Sequence, residues 1–182
     1  RHPLITGITK QLLKTPELRL WHDHMISKPP EENDRFQFHQ DFYNWPLADP
    51  NILTCWIALD DATVANGCMR VIPGSHRWPV AYSREDADND NPNWVLERPE
   101  IPAGASLEPV PCEVLAGHCH FHHCRLIHGS PGNPTDTARR SYILHLMPGN
   151  TRRIGNGWNP RMGRIEDVAM GEIVKGPEFP AL

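Results

Sequence analysis

The sequence predicts a mainly β fold of short strands closed as a sandwich or barrel. Three observations point there. The 182 residues include 13 Gly and 19 Pro, roughly 18% of the chain where an average protein has about 12%; so many turn formers leave no room for long helices. Seven or so short runs rich in Val, Ile, Thr, Leu and aromatic residues are bounded by turn residues. Eleven His, the side chain that most often binds metal, suit the concave interior of a double-stranded jelly roll.

Composition narrows the function. With 18 Lys+Arg against 22 Asp+Glu the net charge is −4 and the pI near 6.3, which argues against a dedicated nucleic-acid binder. No apolar run approaches the ~20 residues that span a bilayer, so no membrane partner is expected. The hydrophobic share of 39%, with six Trp, excludes a disordered chain. A mass of 20.7 kDa suits a single domain over residues 1–182. Cys55, Cys68, Cys112, Cys119 and Cys124 are odd in number and form no C-x-x-C pair, so reduced thiols and a cytoplasmic location are expected.

The elements follow in order. Apolar positions at Leu4, Ile5, Ile8, Leu12 and Leu13 predict an amphipathic helix over 4–14, ended by Pro16. Strands are expected at Leu18–Ile26, at Phe36–Phe38 leading into His39, at Ile52–Leu59, and at Cys68–Ile72 after the Asn66-Gly67 turn. Residues 28–34 read as a loop. Residues 79–110, polar and Pro-rich with an acidic stretch at 85–90, read as a long loop without calcium-loop spacing. Strands resume at Cys112–Leu115, His118–Ile127 and Arg139–Met147. The tail from Pro148 to Leu182 shows no clear period.

Three residues carry the chemistry. His39 and Asp41 form an H-x-D pair, and on a strand positions i and i+2 face the same side. His128 lies far downstream in His128-Gly129-Ser130. Two His and one carboxylate fill three of six octahedral positions and leave three open, the triad of non-haem Fe(II) oxygenases. Taken singly, H-x-D also reads as a surface turn and His128 as a structural histidine. Arg139 and Arg140 open the following strand, and only one of the two points inward, where a guanidinium can grip a dicarboxylate tail. Ser130 offers a further hydrogen bond to that carboxylate.

From about residue 24 to 147 the chain resembles the phytanoyl-CoA dioxygenase-like branch of Fe(II)/2-oxoglutarate oxygenases. The resemblance rests on Lys28-Pro29-Pro30, His39-Gln40-Asp41 and the run from Trp56 to Asp61. It continues through Asn66-Gly67-Cys68, the run from Val71 to His76, and Leu126-Ile127-His128-Gly129-Ser130 with Asn133 and Arg139. It implies a cupin-like double-stranded β-helix with short flanking helices and long loops. His39, Asp41 and His128 would be the Fe(II) ligands, with 2-oxoglutarate and O2 as co-substrates. Arg139 would hold the distal carboxylate with Ser130 beside it, Gln40 and Trp56 would line the co-substrate pocket, and Arg140 would face away. Halogenases of the wider superfamily have a small residue in place of the carboxylate; Asp41 therefore implies hydroxylation of an unactivated C–H in a small organic substrate, with release of succinate and CO2.

The resemblance also implies that the family's N-terminal helices and first strands lie outside this chain. Where the family has Gly-Asp before the distal strand, this chain has Gly117-His118. The dense group His118, Cys119, His120, His122, His123 and Cys124 raises a second metal, zinc, as an alternative. Two other readings stand beside the oxygenase: a non-redox zinc β-barrel and a catalytically silent small-molecule-binding member of the fold. His22 and His24 share the i, i+2 spacing, with His24 either facing the co-substrate pocket or simply bonded within its strand. Loops 79–110 and 149–182 are expected to form lid and walls, with Arg152, Arg153, Arg161 and Arg164 open to an anionic substrate or to solvent. Trp45, Trp78, Trp94 and Trp158 read as core or substrate wall. Pro73-Gly74-Ser75-His76 reads as a positioning turn.

Overall fold

The computed structural model describes residues 1–79, 94–155 and 165–182. The acidic stretch 85–90, Trp158, Arg161 and Arg164 lie outside the described residues. Helix α1 (Pro3–Leu13) begins with Pro at its first turn, and Lys14 closes it in the left-handed conformation. Eight strands follow among the described residues: β1 (Leu18–Lys28), β2 (Phe36–His39), β3 (Leu53–Ala58), β4 (Arg70–Val71), β5 (Val110–Pro111), β6 (Cys119–His123), β7 (His128–Ser130) and β8 (Arg139–Pro148). They form two antiparallel sheets ordered β1-β8-β3-β6 and β2-β7-β4-β5. The chain passes between the sheets repeatedly, as the jelly-roll expectation requires.

Alternation along the strands divides the larger sheet into two faces. Its outer face carries Leu18, Leu53, Cys55 and Leu146, packed with Leu13 of α1. Its inner face carries His24, Ile26, Thr54, Trp56, His122, Ile143 and His145, which look toward the smaller sheet. In β1 a bulge between Leu20 and His22 shifts the register, so that Leu20 pairs with Leu146 and His22 with His145. The extra residue moves His22 to the inner face and lets Trp21 enter the core.

Two expectations fail in this region. Residues 118–127 do not form one strand: β6 belongs to the larger sheet and β7 to the smaller one. The switch is a turn closed by Leu126 N–H on the His123 carbonyl (2.8 Å) and by Arg125 N–H on His123 Nδ1 (3.1 Å). On its two sides Cys124 and Ile127 enter different core clusters. No strand covers 112–115; β5 precedes that segment, and Val114 makes only an isolated bridge to Ala62.

The described part of the tail packs into the core. Ile165, Val168, Val174 and Phe179 join Trp21, Leu47, Ile52 and Met147. The buried Arg153 Nη1 donates to the carbonyls of Ile165, Glu166 and Val168, and Arg152 donates to Gly171. Trp78 is buried with Ile72, Val95 and Ile127, and Trp45 packs on the edge of the tail cluster. Among the described residues, no helix is long and apolar enough to cross a membrane.

Candidate metal centre

A cavity of about 140 Å³ lies between the sheets, lined by His39, Asp41, Trp56, His128, Ser130 and Arg139 among others. His39 ends β2 and pairs directly with His128 at the start of β7. Asp41 does not share a strand with His39. It has helical dihedrals (φ −66°, ψ −41°) and begins the single turn Phe42–Asn44, so the backbone bend, not strand alternation, brings its carboxylate beside His39. Gly129 keeps β7 close to β2: a Cβ there would stand 2.9 Å from the Phe36 carbonyl oxygen.

The three side chains converge. Asp41 Oδ1 is 3.6 Å from Nε2 of both His39 and His128. His39 Nδ1 lies 2.7 Å from the Gln37 carbonyl and His128 Nδ1 lies 2.8 Å from the Leu126 carbonyl. A carbonyl only accepts, so each Nδ1 carries a proton, and each Nε2 is the ring atom that faces Asp41 and can give its lone pair to a metal. Ligands at right angles on a metal 2.0–2.2 Å away stand about 3.0 Å apart, so closure by about half an ångström brings Asp41 Oδ1 to that spacing from each imidazole, and all three donor atoms already lie within 4.8 Å of one another. The donor set fits Fe(II) with three positions left open.

The second carboxylate oxygen has its own partners. Thr54 Oγ1 is 3.1 Å from Asp41 Oδ2, His122 Nε2 is 3.7 Å away and His145 Nδ1 is 4.0 Å away. Thr54 Oγ1 also lies 2.9 Å from His145 Nδ1, giving an order His145 Nδ1–H, Thr54 hydroxyl, Asp41 carboxylate. Burial would raise the Asp41 pKa, but the His128 charge, hydrogen bonds from His122 and His39, and the His145 charge hold it well below the usual carboxylate range. Burial also works to lower His39, and the Asp41 hydrogen bond and charge outweigh it, leaving His39 raised. His128 is pushed down to about 3 by burial and by its neighbour His39. Burial likewise lowers His145.

Away from the carboxylate, Arg139 is 2% exposed and lines the cavity. Its Nη2 donates to the Gly67 carbonyl at 2.7 Å, and its guanidinium lies over the Trp56 ring at 5.6 Å. Its Nε is buried without a partner, a donor ready for an anion in the cavity. Gly67 is required here: its φ is +77°, and a Cβ would stand 2.3 Å from the Gly132 carbonyl oxygen. Arg140 faces outward in a two-pronged pair with Asp60, the direction that the family resemblance implied. Ser130 lines the cavity beside Gly129.

Gln40 is not brought to the cavity. It is fully buried, and its Nε2 donates to the Arg125 carbonyl at 2.6 Å, because alternation turns it away from His39. The group 118–124 is not gathered on one ion either. His120 and His122 face inward, with His120 stacked on Trp56 at 5.3 Å; Cys119 and Phe121 face outward, and His118 is exposed. The turn at 73–76 positions the site: Ser75 Oγ accepts the Ile127 N–H at 2.8 Å, next to His128. Asn133 Nδ2 ties the carbonyls of Lys28, Pro29 and Thr137. Reading the sequence missed Thr54, His122 and His145 around Asp41. The i, i+2 spacing of His120 and His122 was the only available signal, and it needed the pairing of β6 beside β3 to be read.

The model of the family described as "Phytanoyl-CoA dioxygenase (PhyH)" matches residues 1–141. The chain belongs to the phytanoyl-CoA dioxygenase family. It is 34% identical over 138 residues to phytanoyl-CoA dioxygenase domain-containing protein 1 of Mus musculus, covering 74% of this chain and 45% of the mouse protein. The chain thus spans about half the length of the curated relatives it matches. Among solved structures it is similar to SnoK, a non-haem α-ketoglutarate-dependent carbocyclase from nogalamycin biosynthesis, with a TM-score of 0.76, 29% identity, and coverage of 100% of this chain and 68% of SnoK. It is also similar to the epimerase SnoN in complex with Fe3+, α-ketoglutarate and nogalamycin RO, with a TM-score of 0.76, 26% identity, and coverage of 99% and 70%. Both comparisons agree with the fold of this phytanoyl-CoA dioxygenase family member as a cupin-like double-stranded β-helix.

Proposed function

We propose that the chain is the catalytic core of an Fe(II)- and 2-oxoglutarate-dependent dioxygenase that hydroxylates an unactivated C–H of a small organic substrate, releasing succinate and CO2. The observation that carries this reading is the meeting of His39 Nε2, His128 Nε2 and Asp41 Oδ1 in one cavity, which also holds the buried Arg139 with an unpartnered Nε. His39, Asp41 and His128 hold the iron. Arg139 and Ser130 take the distal carboxylate of 2-oxoglutarate, and Trp56 walls the space between. Bound iron, with 2-oxoglutarate and dioxygen, supplies an oxidant able to take hydrogen from an unactivated carbon.

The protein residues orient and exclude. Ile26, Phe36, Trp56, Met69 and Ile143 give the cavity apolar walls that keep bulk water from the reacting carbon. The carbonyls of Gln37 and Leu126 hold both imidazoles in the ligating tautomer. The fold also carries a carbocyclase and an epimerase, so the outcome depends on which substrate atoms the walls bring near the iron. Asp41 occupies the position a halide would need, which favours hydroxylation over halogenation. The test is an anaerobic Fe(II) titration with and without 2-oxoglutarate, reading the visible charge-transfer band of the chelate, followed by succinate release in air. The wild type gives the band, and His39→Ala and Arg139→Ala lose or weaken it. A protein that binds zinc but gives neither band nor succinate is not an oxygenase.

A further inference from the structure

The inner face of the larger sheet holds a second group of imidazoles, none of them among His39 and His128 of the iron site. His22 and His24 lie two apart on β1, and His145 stands opposite His22 on β8. The bulge at Trp21 is what places His22 on this face; in a regular strand it would point outward. One ring nitrogen from each of the three lies within 4.8 Å of the others. Ring centroids are 4.3 Å apart for His22 and His145, 5.3 Å for His22 and His24, and 5.4 Å for His24 and His145. Imidazoles sharing one metal at about 2.1 Å, at angles between octahedral and tetrahedral, have centroids about 4.5–5.2 Å apart. His145 directs Nδ1 to Thr54 and Asp41, which leaves Nε2 for this second group.

We propose that His22, His24 and His145 form a second transition-metal site, filled by Zn(II), beside the iron site. Three neutral nitrogen donors without a carboxylate suit zinc and exclude calcium and magnesium. Trp45 packs against His22 and His145, with ring centroids at 6.0 and 4.8 Å, and walls the group on one side. His24 lines the cavity, so the fourth zinc position opens there to water or an anionic donor. The two sites share no ligand atom and are joined through His145, Thr54 and Asp41.

The test loads metal-free protein with Zn(II), dialyses it and counts bound metal by elemental analysis. The wild type retains two equivalents. His22→Ala and Asp41→Ala each retain one, lost from different sites. In the His22→Ala protein the second equivalent binds about 100-fold more weakly or worse, since loss of even an outer hydrogen-bond partner costs 10–100-fold. A wild type that holds a single equivalent, or a folded His22→Ala protein that holds two, overturns the proposal. Co(II) titration of the wild type gives a check independent of any variant. A four-coordinate visible spectrum must grow in beside the weak six-coordinate one; a single spectral species ending at one equivalent overturns the proposal. Because the Asp41→Ala protein keeps the second site, failure of the oxygenase reading leaves this result intact.

Discussion

Thr54→Val removes one hydroxyl and almost no volume from a site that is otherwise untouched. That hydroxyl lies 3.1 Å from Asp41 Oδ2 and 2.9 Å from His145 Nδ1, and Thr54 is 1% exposed, so no water replaces it. A hydrogen bond to a charged acceptor contributes about 1.5–3 kcal/mol. If Thr54 holds the carboxylate in the orientation that presents Oδ1 to His39 and His128, most of that energy appears as metal affinity. The expected loss is then roughly 10- to 150-fold in Fe(II) binding, in the range found when outer partners of metal ligands are removed. The assay is anaerobic Fe(II) titration at saturating 2-oxoglutarate, followed by the chelate band, which reads this site alone. Thr54→Ser restores the hydroxyl and should bind within about threefold of wild type, a difference of about 0.7 kcal/mol. A folded Thr54→Val protein with wild-type affinity would refute the reasoning, because the Asp41 orientation would then need no help from Thr54.

Three further outcomes are expected. Arg139→Ala removes a buried partner of the co-substrate carboxylate, a loss of at least about 2 kcal/mol; 2-oxoglutarate binding should weaken at least about 30-fold, and an unchanged dissociation constant would move the anchor elsewhere. Gly67→Ala forces a side chain into φ +77° and against the Gly132 carbonyl, so urea unfolding should show a loss of about 2 kcal/mol or more; a change under 0.5 kcal/mol would mean that the turn rearranges (roughly the surface-substitution range). Metal-free protein should lose stability on acidification from pH 7.5 to 5.0. His22, His120 and His128 have folded values of about 4, 3 and 3, so only the unfolded state takes up their protons between about pH 6.5 and those values, at about 2 kcal/mol each by pH 5. His39 is raised, so its contribution is complete below its unfolded value and lost as pH rises through the folded one, which offsets part of the acid loss. A net loss of about 3 kcal/mol or more is expected from urea titrations, and equal stability at the two pH values would contradict it.

Much of the architecture was legible because local signals agreed with the fold. Helix α1, β1, β3 and β8 fall within two residues of their predicted bounds, since each has an apolar pattern closed by a Pro, Gly or Asp. Alternation allowed only one of Arg139 and Arg140 to point inward, and the family resemblance chose Arg139. What failed was non-local. No breaker marks the crossing at Cys124-Arg125-Leu126; the His123 ring and two different core clusters make that turn, and neither is visible in a run of β-favouring residues. The resemblance assigns Gln40 to the pocket although alternation turns it away from His39, and the i, i+2 strand geometry fails for Asp41 because the strand ends at His39 and a bend follows. Thr54, His122 and His145 come from three strands that meet only through the order β8-β3-β6. The tail lacks periodicity because its apolar residues are fixed one at a time, with Arg153 binding the backbone between them.

The division of Asp41 explains how three protein ligands can suffice. A carboxylate that gave both oxygens to a metal would occupy four octahedral positions together with two histidines, leaving two, too few for a chelating co-substrate and dioxygen together. Here Oδ1 faces His39 and His128, whereas Oδ2 is engaged by Thr54 and approached by His122 and His145. An oxygen that accepts a hydrogen bond from Thr54 in a buried site is costly to withdraw from it, so the carboxylate is held to one metal contact. Under the proposed function, the residues around Oδ2 therefore preserve the third open position. The same residues link that oxygen to His145, the histidine that also belongs to the second imidazole group. The pairing of β1, β8 and β3 thus serves both sites: it aligns Thr54 and His145 behind Asp41 and sets His22 and His24 on the far side of His145.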